Sequence, residues 1–151
     1  MPDRGAVTAA AVAALALAAM EPAAALAHRG LMHGPGWPWH RSHHRQPGGP
    51  PQANDLYPLV FAAATVLAMA IGAAVPGLGP LLAAGAGVTA YGVLYLVVHD
   101  LYVHERLGPL PGRGSRYVRW VAGAHALHHR TGREPYGFLV PVVHRRIGEP
   151  A

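Results

Sequence analysis

Ten of the chain's eleven histidines fall into two matching sets. The first is His28 and His33, followed by His40, His43 and His44. The second is His99 and His104, followed by His125, His128 and His129. Each set reads HxxxxH and then HxxHH. Neutral imidazole is the commonest metal-ligand side chain and suits iron, zinc and copper. On an α-helix the three rings of HxxHH point at roughly 0°, 300° and 40°, so one face presents all three. HxxxxH is looser: five residues turn an α-helix by about 140°, so its two rings must be met from different sides or at a helix end. Chance would supply only about 0.06 HxxHH triplets in a chain this rich in histidine. Storage tracts and tags are contiguous or irregular, whereas these motifs are spaced and duplicated, which points to a metal cluster assembled from several elements. His144 stands outside both sets and reads as structural or exposed.

Ten ligands exceed the roughly four to six that one ion takes and match two. Two divalent ions among neutral imidazoles would leave a net positive site, so an acid should offset part of that charge from behind the ligands. Asp100 beside His99 and Glu105 beside His104 are candidates. Glu21 is a third, one heptad ahead of His28 and about −20° around the same helix stripe. An acid late in an apolar segment is costly and usually has a task. The plain alternatives are a helix-end surface acid for Asp100 and an interfacial residue reaching out to water for Glu21. Zinc held by histidines would support hydrolysis through a water of lowered pKa. Two irons would instead bind O2, accept electrons and oxidise an unactivated C–H bond.

The elements that position these residues are apolar. Only 13% of residues are charged, about half the usual share for soluble domains. The formal charge is +5, and all 12 basic residues are arginine, most of them beside the histidines. With such long uncharged runs, that balance suits a membrane surface and not nucleic acid. The absence of cysteine excludes disulfides, iron–sulfur ligation and thiolate haem within the chain. Any electrons must therefore come from another protein.

Ala6 to Ala27 would make about 33 Å of helix, enough to cross a bilayer. A secretory signal cleaved after Ala27 is the rival reading, weakened by Asp3 beside Arg4. Pro47–Pro51 reads as a linker, and Asn54 and Asp55 as N-cap residues of a second span, Leu56 to Val75. A turn over Pro76–Pro80 leads to a third, Leu81 to Val98, whose Gly85, Gly87 and Gly92 would allow close helix contact. Three spans put both histidine sets on one side. Arginines flank both sets and avoid the turn, so the positive-inside rule makes that side cytoplasmic. Beyond the Gly108–Gly114 connection, Tyr117 to His129 reads as an interfacial helix with Tyr117, Val118, Trp120, Val121 and Ala124 as its apolar positions. Tyr136 to Val143 would dip into the bilayer or pack over the site, and His144 to Ala151 would form a solvated tail. The expected fold is an all-α integral membrane protein: about three transmembrane helices, a cytoplasmic histidine-rich cap and interfacial helices. Residues 1–151 would form a single membrane-bound domain, with spans near 6–27, 56–75 and 81–98 and histidine segments at 28–44 and 99–129.

The chain resembles the bacterial β-carotene hydroxylases, carotenoid 3-hydroxylases of the membrane fatty-acid hydroxylase superfamily. The likeness runs from Met20-Glu21 and Ala25–His28 through Met32-His33-Gly34, Gly36-Trp37 and Trp39-His40 to Ser42-His43-His44. It continues in Asn54-Asp55-Leu56-Tyr57, Val60–Ala62, Thr89–Gly92, Leu94-Tyr95, Val98–Asp100, Val103-His104, Ala124-His125, His128-His129 and Gly137-Phe138. The resemblance implies a non-haem di-iron mono-oxygenase of the inner membrane that uses O2 and electrons from ferredoxin or an equivalent reductase chain. It implies hydroxylation of carbon 3 of β-ionone rings, from β-carotene through cryptoxanthin to zeaxanthin. Carried over residue by residue, the ten histidines would be the ligands; Asp100 and Glu21 stay the supporting-acid candidates drawn from the charge of the site. Leu101, where the family commonly has glycine, and the approach through Pro135-Tyr136 depart from the pattern and bear on ring preference. Other classes compete: a fatty acyl or sterol hydroxylase or desaturase of the same superfamily, a non-enzymatic membrane metal carrier, and a secreted metal-binding protein.

Overall fold

A computed structural model describes residues 3–45, 49, 51–112 and 114–142. His144, the tail after it and most of the Pro47–Pro51 linker lie outside them. The described residues are helical, with no strand among them. Helix α1 spans Arg4–Ala27, α2 Trp37–Arg45, α3 Leu56–Ala74, α4 Gly79–Tyr95 and α5 Arg116–Thr131. Two of these run on into π-helical turns, α1 into His28–Met32 and α4 into Leu96–Val103. Three continuous helical stretches are long and apolar enough to cross a membrane: Arg4–Met32, Ala53–Ala74 and Gly79–Val103. Many of their large apolar side chains face outward, Leu15, Leu59, Val66 and Leu67 among them. A helix that is apolar all round is suited to lipid.

The chain divides into two compact units. One holds the residues up to Glu21 together with Asp55–Val93. Its helices approach through small residues, because without a hydrophobic drive between spans close van der Waals contact must supply the attraction. Gly85 lies against Met69 of α3, and a Cβ on Gly87 would run into the backbone carbonyl of Ala13 in α1. Gly92, expected to act likewise, has open space where a side chain would be. One turn beyond Gly87, the buried Tyr91 hydroxyl donates to Glu21 Oε2 at 2.6 Å, so the acid in the first span has a hydrogen-bonded partner within this unit.

The other unit comprises Pro22–Asn54 and the described residues from Leu94 onward, and holds all ten paired-motif histidines. Helix α5 is bounded by a side-chain cap and a left-handed stop. Ser115 Oγ accepts the Val118 N–H at 3.2 Å, and Gly132 takes φ 64°. Val118, Val121 and Ala124 are buried as expected, but Tyr117 and Trp120 are 44% and 41% exposed. These aromatics lie on the outward face of α5, where an apolar ring with a polar tip suits a membrane–water boundary.

Candidate metal centre

The π turns settle the HxxxxH spacing. The His33 N–H donates to the His28 carbonyl and the His104 N–H to the His99 carbonyl, each at 3.0 Å. An i→i+5 bond closes one turn over five residues, so each pair comes onto one side of its helix. The expectation from α-helical pitch, that the two rings point well apart, is corrected by this local unwinding. His99 and His104 consequently bring their Nε2 atoms within 3.2 Å of each other.

The rings gather into two groups that do not follow chain order. His28, His33, His40, His44 and His128 form one; His43, His99, His104 and His125 form the other. Within each group the donor atoms lie within 4.8 Å of one another. His129 adjoins the second, its Nε2 2.8 Å from that of His125 and 3.2 Å from that of His43. The two HxxHH helices thus split in the same way. His40 and His44 of α2 stay together while His43 crosses over; His125 and His129 of α5 stay together while His128 crosses over. The stacked rings of His44 and His129, 4.4 Å apart, lie where the groups meet.

Chemistry identifies what these groups could hold. His28 Nδ1 faces the Tyr136 carbonyl at 2.9 Å, His40 Nδ1 the Asn54 Oδ1 at 2.7 Å, and His128 Nδ1 the Arg133 carbonyl at 2.6 Å. His99 Nδ1 faces the Asp100 carboxylate at 2.7 Å. All four partners are acceptors, so Nδ1 carries the proton and Nε2 carries a lone pair. Yet the Nε2 atoms of His28 and His40 are 2.9 Å apart. Lone pairs at that range repel unless a cation lies between them. The nearest Nε2 pairs in the two groups lie 2.8 to 3.3 Å apart. For bonds of about 2.1 Å, neighbouring donors around an octahedral ion lie about 3.0 Å apart and around a tetrahedral ion about 3.4 Å. The donor set therefore fits one metal ion in each group.

Burial keeps the rings in the state that binds metal. Desolvation, reinforced by neighbouring imidazoles, holds His33, His40 and His128 down to about 4, His129 to about 3 and His104 to about 2. His43 and His125 are pushed down further by the same causes. All are neutral at pH 7, as ligation requires.

Some supporting residues were hidden from sequence reasoning. Asn54 was expected to cap α3. Its side chain instead holds His40, and its backbone N–H donates to Ser42 Oγ at 3.2 Å. Asp55 occupies the cap position without a side-chain cap bond. An Asn-Asp pair before an apolar run looks the same in either role. Asp100 is buried against His99 and is not a surface acid. The described part of the Tyr136–Val143 stretch packs over the rings: Phe138 stacks on His28 at 4.8 Å, and Tyr136 meets His28, His33 and His128 edge-on.

Lipid-suited helices and two clusters of buried imidazoles able to hold metal define an integral membrane protein with a candidate metal centre. Residues 13–148 match the fatty acid hydroxylase family, and the chain belongs to it. It is 45% identical over 126 residues to a β-carotene hydroxylase of Pantoea ananas, covering 80% of this chain and 70% of that protein. A β-carotene hydroxylase of Pseudescherichia vulneris is 44% identical, over 83% of this chain and 72% of the relative. One from a Paracoccus species is 40% identical, over 80% and 76%. The chain is thus a hydroxylase of this family. No solved structure matches it.

Proposed function

We propose that the chain is a non-haem di-iron mono-oxygenase that hydroxylates carbon 3 of the β-ionone rings of β-carotene, giving cryptoxanthin and then zeaxanthin. The observation that carries the reading is the likeness to bacterial β-carotene hydroxylases over about four-fifths of the chain. The ten histidines would hold two irons, which when bound supply O2 activation and accept electrons one at a time from ferredoxin or an equivalent donor. Asp100 would keep His99 oriented, as Asn54 keeps His40. Glu21, the other acid proposed in support, accepts a hydrogen bond from Tyr91 within the apolar unit. Residues 1–151 would work as one hydroxylase domain in the inner membrane, with the histidines on the cytoplasmic side.

Position on the ring is a matter of orientation. Carbon 4 is allylic and has the weaker C–H bond, so a freely reacting oxidant would favour it. Attack at carbon 3 requires the ring to be held with that carbon nearest the metal centre. Apolar burial of the polyene along the spans, at about 25 cal/mol per Å², would supply the anchoring. Expression in a β-carotene-producing host, with and without O2, tests the reading. The expected pigments are the 3-hydroxy and then the 3,3′-dihydroxy products; exclusive oxidation at carbon 4 would overturn the positional claim. The family's own description supports a second reading, a fatty acyl chain in place of the polyene. Hydroxylated lipid with unaltered carotene would favour that one.

A further inference from the structure

The two histidine groups match in number but not in support. In the group built on His28, His33, His40, His44 and His128, three rings have their Nδ1–H held by an acceptor: the Tyr136 carbonyl, Asn54 Oδ1 and the Arg133 carbonyl. In the other group Asp100 holds His99, while the Nδ1 atoms of His43 and His129 are buried with no partner. Aromatic rings lie against both groups: Trp37, Tyr136 and Phe138 against the first, and Tyr95 and Phe138 against His99 of the second. Beside the second lies a cavity of about 350 Å³, lined by His104, His125 and His129 with His44, and by Ala122 and Ala126. Three of its four histidines belong to the second group.

We infer that the two metal positions are inequivalent: the first group is a firmly held site, and the second is a less firmly held one that exchanges its ion through the cavity beside α5. This rests on the reading of the ten histidines as ligands for two ions. An acceptor behind a ligating imidazole fixes its tautomer and direction and raises its basicity, and losing one such partner costs about 10–100-fold in metal affinity. The second group lacks that support at two rings, and its cavity admits a small competitor.

Purified protein loaded with two equivalents of Fe(II) under anaerobic conditions is challenged with a small chelator, and the metal remaining per chain is followed in time. One equivalent should leave at least about tenfold faster than the other. Asn54→Ala removes the acceptor behind His40 and should speed the slow phase about tenfold, leaving the fast phase unchanged. Ala126→Leu puts bulk into the cavity and should slow the fast phase alone. Two ions leaving at one rate, an Asn54→Ala effect on the fast phase, or a fast phase indifferent to Ala126→Leu would each overturn the inequivalence while leaving two bound metals in place. A chain that takes up fewer than two ions overturns it together with the metal centre itself.

Discussion

His43 and His44 are neighbours in the chain, yet they serve different clusters. His43 and His129 are 86 residues apart and touch. Sequence spacing shows that such rings share a helix face, but not which partner each will meet, because a face about 100° wide can be divided between two sites. The division makes a coupling prediction. His43→Ala and His44→Ala should each lower bound metal from about two ions per chain towards one, and the double variant should hold almost none. His43→Ala with His129→Ala removes two ligands of one cluster and should still retain about one ion. Metal analysis decides it, and the opposite ranking of the doubles would refute the split. The same rings set a pH response. His33, His40 and His128 sit near 4 when folded, against an ordinary value near 6.5, so between those values the unfolded chain binds more protons. Stability of the metal-free protein should be full above about 6.5 and fall as pH drops towards about 4. A thermal midpoint that stays level from pH 7 to 4.5 would contradict it.

At the scale of helices, the three apolar spans and the helix carrying His125 to His129 were legible because hydropathy over twenty residues and an HxxHH repeat are strong signals. The π turns were not, since a five-residue histidine spacing looks misaligned when measured with an α-helical pitch. Nor was the role of Asn54, masked by its position before an apolar run. Small residues in α4 were read correctly as contact points at Gly85 and Gly87, but composition could not show that Gly92 faces open space. Gly87→Ala would press a methyl group against backbone of α1 that has no rotamer to escape through, and should destabilise by about 1–3 kcal/mol. Gly92→Ala should stay within about 0.5 kcal/mol of the parent or improve on it. Thermal unfolding in one detergent compares the two; equal midpoints would remove the packing argument.

For the molecule as a whole, arginine placement carries the topology. A reporter inserted in the turn after Ala74 should be periplasmic and one after Ala151 cytoplasmic, and finding both on one side would rule out the three-span arrangement. The crossing-over of His43 and His128 has a further meaning for a chain without cysteine. A metal ion between His33 and His128, or between His43 and His129, would close a chain loop of 95 or 86 residues. Loops of that length are tied in other proteins by disulfides, which restrict the unfolded chain by an amount equivalent to about 4–5 kcal/mol in the loop-entropy account. Each ion would then be a cross-link as well as a reactant-binding centre. If the chain is nicked between His104 and Ser115, the piece bearing α5 should stay attached while metal is bound and separate on chelation. Release of that piece with the metal still in place would show that packing alone, and not ligation, holds α5 to the remainder.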